Sequence, residues 1–165
     1  MLVLANLYGG GMSSRLFQKV REDRGLCYSI FAFAQMMSDT GVFGVYAGTS
    51  EETANEMLKV CAAELTDCLS NIQADELLRS KQQLKASVLM RLDSVSATMD
   101  SLGRHIALFG KAQNKDQLIR SIEAVSIDSL SILIAKIIAG RPAMAAVGPV
   151  SAVMNVTDLS DLFSS

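Results

Sequence analysis

Two strand-like runs joined by a turn set the tightest limit on how this chain folds. Cys27 to Met37 is free of charge and carries Tyr28, Ile30, Phe31, Phe33 and Met36. Ser38-Asp39-Thr40-Gly41 is a turn cluster, and Val42 to Gly48 is a second apolar run. The pair predicts an antiparallel hairpin. Gly44 and Gly48 predict a close backbone approach or a strongly twisted sheet. A long apolar hairpin in a minimal sheet leaves edges that need partners.

The rest of the chain supplies mainly helices. Residues 2–8 read as the end of a helix stopped by Gly9-Gly10-Gly11, with Ser13-Ser14 as an N-cap for a helix over 15–23. Gly25 is placed to end that helix in a left-handed C′ conformation. Thr49-Ser50-Glu51-Glu52 opens another, either hydroxyl being able to cap it. Ala54, Met57, Leu58, Cys61, Leu65, Cys68 and Leu69 form its apolar stripe, and Asn71 its end. Residues 74–109 read as one long helix with a bend in the stretch 93–101, its stripe formed by Leu77, Leu78, Leu84, Val88, Leu89 and Leu92. Shorter helices are predicted over 115–122 and, capped by Ser126, up to Ile138. Ala143 to Val147 is predicted as a third strand. Strands and helices segregate, so the expected class is α+β, an antiparallel sheet covered by helices. No internal repeat or low-complexity segment is evident.

Composition and isolated residues exclude several functions. The 165 residues are 50% hydrophobic and 19% charged, which is a globular rather than a disordered composition. A net charge of −2 argues against a dominant nucleic-acid footprint, and 5% aromatics without Trp argue against single-strand stacking platforms. The apolar stretch 132–154 is interrupted by Lys136, Arg141 and Pro142, so it reads as a buried helix and strand rather than a membrane span. The three cysteines, Cys27, Cys61 and Cys68, suit a reducing compartment. Cys61 and Cys68 stand about 10 Å apart on a helix, beyond disulfide reach. His105 is the sole histidine and reads as structural, with a partner contact as the alternative. No H-x-x-E-H, H-E-x-x-H, C-x-x-C or phosphate-loop pattern is present. Glu22 and Asp23 are neighbours on a helix and point apart, so they read as surface charges rather than a catalytic pair. Ser13 and Ser14 have no histidine nearby and read as caps.

One segment carries more information: Gly9-Gly10-Gly11-Met12-Ser13-Ser14-Arg15-Leu16-Phe17-Gln18-Lys19-Val20-Arg21-Glu22-Asp23-Arg24-Gly25-Leu26-Cys27-Tyr28. It resembles the second-half-domain signature of the pitrilysin/insulinase superfamily of zinc metallopeptidases, in the branch of the mitochondrial processing peptidases and their bacterial relatives. The family pattern is roughly L-G-G-G-x-S-S-R-L-x-x-x-(I/V)-R-E-x-x-G-L-x-Y, and Tyr8 stands here where Leu is usual. The order of the later helices and the last strand also suits the family.

The resemblance implies paired α+β domains of the LuxS/processing-peptidase-like half-domain type, facing each other as a clamshell. One domain binds zinc through H-x-x-E-H and a distant Glu. Its partner holds no zinc and sends an Arg and a Tyr toward the substrate near the scissile bond, positions that match Arg21 and Tyr28. A phenol O–H donates to the developing oxyanion and a guanidinium holds backbone carbonyls. By residue type alone, Arg21 is equally a solvated helix residue and Tyr28 an ordinary strand aromatic. Gly9, Gly10 and Gly11 resemble the family's substrate-contacting glycine loop, or else mark a helix break at a close packing contact.

On this reading residues 1–165 are a single partial domain. Its N-terminal strands and the zinc domain lie elsewhere, and it has no cofactor of its own and no peptidase activity alone. Expected partners are the N-terminal zinc-binding domain or a homologous subunit, a peptide substrate, and a second copy in a homo-oligomer, with no nucleic acid and no membrane span. The expected location is the bacterial cytoplasm, with the mitochondrial matrix as alternative. Two other functions remain open: an inert scaffold subunit homologous to processing peptidases, and a binding module that self-associates through its sheet.

Overall fold

In the computed structural model, which describes residues 1–91, 93–112 and 114–163, the chain forms one two-stranded antiparallel sheet and a set of helices around it. The strands are β1 (Ser29–Met36) and β2 (Gly41–Gly48), in register from Ser29 opposite Gly48 to Met36 opposite Gly41. The hairpin stands as expected, and the α+β class with it. Helix α1 (Leu2–Gly9) is buried nearly all round, as an apolar helix without a polar face must be. It lies between β1 and α3 (Ala74–Arg91). Helix α2 (Glu51–Asp67) turns Ala54, Met57, Cys61 and Leu65 inward, as its spacing predicts, and buries Val60 and Ala62 besides, while Leu58 is half-buried. Helices α4 (Val95–Phe109), α5 (Lys115–Glu123), α6 (Ile127–Ile138) and α7 (Val156–Asp161) complete the described elements.

The core gathers at α1 and α2. Tyr8, Leu4, Leu16, Val20, Cys68, Leu130 and Ile134 are its most deeply buried large side chains. Tyr8 donates its hydroxyl to the Cys61 carbonyl, which satisfies a polar group that burial would otherwise penalise. Its ring meets Phe43 of β2 at 5.9 Å. Each fully buried Leu, Ile or Val contributes about 1.5–3 kcal/mol.

Five expectations need correction. The segment after the glycines is only briefly α-helical and then forms a π-helical turn, Phe17–Glu22, closed by the Asp23 N–H on the Gln18 carbonyl at 2.8 Å. Apolar periodicity over so few residues does not separate the two windings. Ser13 and Ser14 do not cap it: the Ser14 hydroxyl donates to the Gly11 carbonyl at 2.6 Å. Neither Thr49 nor Ser50 accepts from the first N–H groups of α2, which ends at Asp67 rather than Asn71; their hydroxyls bond to Thr53 instead. The long helix is two helices, α3 ending at Arg91 and α4 starting from a Ser94 cap that accepts from the Ala97 N–H. Leu92 of the expected stripe lies outside the described residues. Ala143 to Val147 pairs with no strand among the described residues: strand composition alone makes no ladder, and the sheet there consists of β1 and β2. Helix α7 was not anticipated. Ser126, by contrast, caps α6 with a reciprocal box to Ser129.

Candidate functional site

The π-helical turn and the loop after it carry the two candidate residues. Gly25 adopts φ +62, the left-handed value that glycine takes without strain. Its N–H bonds the Arg21 carbonyl at 3.0 Å, and the Leu26 N–H bonds the Val20 carbonyl at 2.9 Å. These bonds reverse the chain and deliver Tyr28 to the head of β1, where its N–H bonds the Gly48 carbonyl at 2.8 Å. Arg21 and Tyr28 therefore flank one turn. Tyr28 is 86% exposed, and Arg21 is half-buried with its guanidinium 4.6 Å from the Phe17 ring centre. Among the described residues neither side chain makes a hydrogen bond or an ion pair, and none joins the two.

Arg15, six residues earlier, is fully engaged. It donates to Glu76 through Nε and Nη2 at 3.1 and 3.0 Å, to Asp67 at 2.6 Å and to the Asn71 carbonyl at 2.5 Å. Burial works against its charge, but the hydrogen bonds to Glu76 and Asp67 outweigh it and its pKa is raised. Asp67 titrates below its usual range because Asn71 and then Arg15 bond its carboxylate. Glu64 lies 3.9 Å from the guanidinium, too far for a strong pair, and burial raises its pKa despite the positive charge. This cluster locks the end of α2 and the start of α3 to the segment that carries Arg21. The sequence reading missed it. One local signal was present: Gln73 and Glu76 stand three apart at a helix start, and Glu76 accepts from the Gln73 N–H at 3.0 Å.

The three glycines have different surroundings. Gly9 is buried, and a Cβ there would overlap the backbone of Ala32 in β1. Gly10 is exposed at the helix end but closes over Asn6, whose carbonyl would lie 2.7 Å from a Cβ. Gly11 meets only the Gln83 amide, at 3.1 Å from the built position. Packing therefore accounts for Gly9 and Gly10, while the surface of the loop is formed by Gly10, Gly11 and Met12. Asn6 Oδ1 is buried beneath it without a partner among the described residues.

The cysteines are free and buried; burial pushes the Cys61 and Cys68 thiols up to about 12 and raises Cys27 against the opposing charge of Arg21. They are poor nucleophiles and packing residues. His105 tilts against Phe109 on α4, with ring centres 6.1 Å apart. Among the described residues, no three His, Cys, Asp or Glu side chains group to hold a metal ion, and no helix is long and apolar enough to cross a membrane.

The architecture is an α+β domain of helices on an antiparallel hairpin, with Arg21 and Tyr28 on either side of one turn. Residues 1–84 match the model of the peptidase M16 inactive domain, so the chain belongs to that family. It is 35% identical over 150 residues to an uncharacterized zinc protease of Streptomyces coelicolor, covering 90% of this chain and 33% of that protein. It is 33% identical over 150 residues to the zinc protease YmxG of Bacillus subtilis, covering 90% and 37%. The alpha-1 subunit of a probable mitochondrial-processing peptidase of Arabidopsis thaliana is 30% identical over 156 residues, with 94% and 31% covered. Among solved structures, a chain of complex III2 from Candida albicans superposes with TM-score 0.89 at 18% identity, covering 98% of this chain and 41% of that one. A protease from Helicobacter pylori gives 0.72 at 22% identity, covering 82% and 33%. The chain spans about a third of the length of its curated relatives.

Proposed function

We propose that this chain is the substrate-gripping half of a zinc metallopeptidase whose metal lies in a separate domain or subunit. The supporting observation is the placement of Arg21 and Tyr28: two donors on either side of one glycine turn, Tyr28 exposed and Arg21 half-buried, neither spent on a hydrogen bond or ion pair among the described residues. Arg15, Arg24 and Arg79, by contrast, are ion-paired within the chain. In the proposed role the Tyr28 hydroxyl donates to the carbonyl oxygen as charge develops on it, and Arg21 holds a backbone carbonyl of the same peptide. Zinc in the partner half supplies the activated water when bound. Gly10 and Gly11 present backbone at the adjacent loop. The domain on this reading is partial, and residues 1–165 work with a homologous half.

The test is peptide turnover by the chain joined to an H-x-x-E-H half. Tyr28→Phe and Arg21→Ala are each expected to lower kcat/KM about 10²-fold with zinc content unchanged. Turnover at the wild-type rate in both variants refutes their roles. No turnover by the zinc-loaded wild type would make the chain a scaffold subunit instead.

A further inference from the structure

Helices α3, α4 and α5 meet around a cavity of about 140 Å³. Its charged walls are all of one sign. Arg91 at the end of α3 and Lys115 at the start of α5 line it, with His105 of α4 beside them. Among the described residues the Arg91 and Lys115 side chains make no hydrogen bond or ion pair, and His105 meets only the Phe109 ring. No carboxylate lines the cavity: Asp93, Asp100 and Asp116, on or beside the same helices, stand outside its walls. The α5 N-terminus borders it as well, where Asn114 caps the helix by accepting from the Asp116 N–H at 2.9 Å. The positive end of that helix adds to the same field.

The rest of the wall is apolar or neutral. Val88, Ala97 and Leu118 are half-buried and offer hydrocarbon, and Thr98 and Ser101 offer hydroxyls. Ala97, Ser101 and His105 stand at four-residue steps, so a single face of α4 supplies that wall. These features select an occupant. Unopposed positive charge around one cavity attracts an anion and repels a cation. A bare inorganic anion would give up hydration against three hydrocarbon side chains, whereas an anion with an apolar body would cover them. The cavity is well below the roughly 300 Å³ of a drug-sized site, so that body is short.

We propose that this cavity binds a small organic oxyanion, a carboxylate or phosphate monoester on a hydrocarbon of a few carbons. Its head lies with Arg91 and Lys115, whose donors suit both headgroups, and its tail lies on Val88, Ala97 and Leu118. The site shares no residue with the turn that carries Arg21 and Tyr28, so it does not depend on the gripping role.

The test titrates the full chain with pentanoate, butyl phosphate, pentanol, pentylammonium and inorganic phosphate, following the imidazole resonances of His105, the sole histidine. Pentanoate or butyl phosphate is expected to shift those resonances saturably, and the tighter of the two identifies the headgroup. Pentanol, pentylammonium and inorganic phosphate are each expected to bind at least about tenfold more weakly. Arg91→Gln with Lys115→Gln should weaken the organic anion at least about fivefold. Ala97→Leu should weaken it too, by filling the cavity with every cation kept. Lys59→Gln, which removes an exposed cation of α2 outside the cavity, should leave binding unchanged. The proposal is overturned if neither organic anion saturates, if inorganic phosphate or pentanol binds as tightly, or if the double variant and Ala97→Leu both bind like wild type.

Discussion

Arg15 and Arg21 sit six residues apart on one segment and are used in opposite ways. The Arg15 side chain is 10% exposed and spends its donors on Glu76, Asp67 and the Asn71 carbonyl, tying three parts of the fold together. Among the described residues, Arg21 has the Phe17 ring beside its guanidinium and no hydrogen bond or ion pair. The difference teaches that charge alone does not say how an arginine is used. Its internal partners show which one holds the fold.

The largest expected effect breaks that comparison if it fails. Arg15→Met should cost about 2–4 kcal/mol in urea unfolding, because it strands Glu76 and Asp67 beside an apolar group. Arg21→Met should cost less than about 1 kcal/mol by the same measurement, the scale of one cation–π contact. Equal losses would mean that Arg21 is structural too. The glycines give the next contrast. Gly9→Ala should destabilise by about 1–3 kcal/mol, since its Cβ meets the β1 backbone, while Gly11→Ala should change stability by less than about 0.5 kcal/mol, since the Gln83 amide can swing away. Thermal midpoints of the two variants measure this. Ser126→Ala, far from both arginines, should cost about 1 kcal/mol through loss of the α6 cap.

The smallest effect is a pH dependence to which the Arg15 side contributes. The Asp67 carboxyl is held below its ordinary value of 3.8, so the folded state binds its proton more weakly than the unfolded chain does. That stabilisation is present above pH 3.8 and is lost as pH falls through the lowered value. Denaturant midpoints should therefore drop on acidification below about pH 4, and Asp67→Asn should flatten part of the drop. Arg21→Met should leave the curve unchanged.

Local patterns were legible in the sequence where they concern one element. The hairpin was readable because its apolar runs and turn are contiguous, and the α2 face because its period persists over several turns. Gly25 was placed correctly because a left-handed turn is a frequent use of a glycine just past a helix, one that Gly110 shares. What stayed hidden depends on distant partners. The Arg15 cluster joins residues more than fifty positions apart, and no period announces it. Ala143 to Val147 has strand composition, but a strand needs a neighbour, and composition does not say whether one is present. The candidate pair was found through a motif rather than through periodicity, which reads Arg21 and Tyr28 as ordinary surface residues.

The π-helical winding at Phe17–Glu22 has its own consequence. It behaves as an α-helix into which one extra residue has been slipped, and each residue of an α-helix accounts for about 100° of rotation. Excising a single position from this stretch would let the coil relax into ordinary winding and swing the flanking side chains by that angle relative to each other. Arg21 would then turn relative to the glycine loop although it had not itself been altered. The direction in which this segment presents its side chains is thus set by how many residues it contains, so a change in length here reorients more of the surface than most changes in side chain.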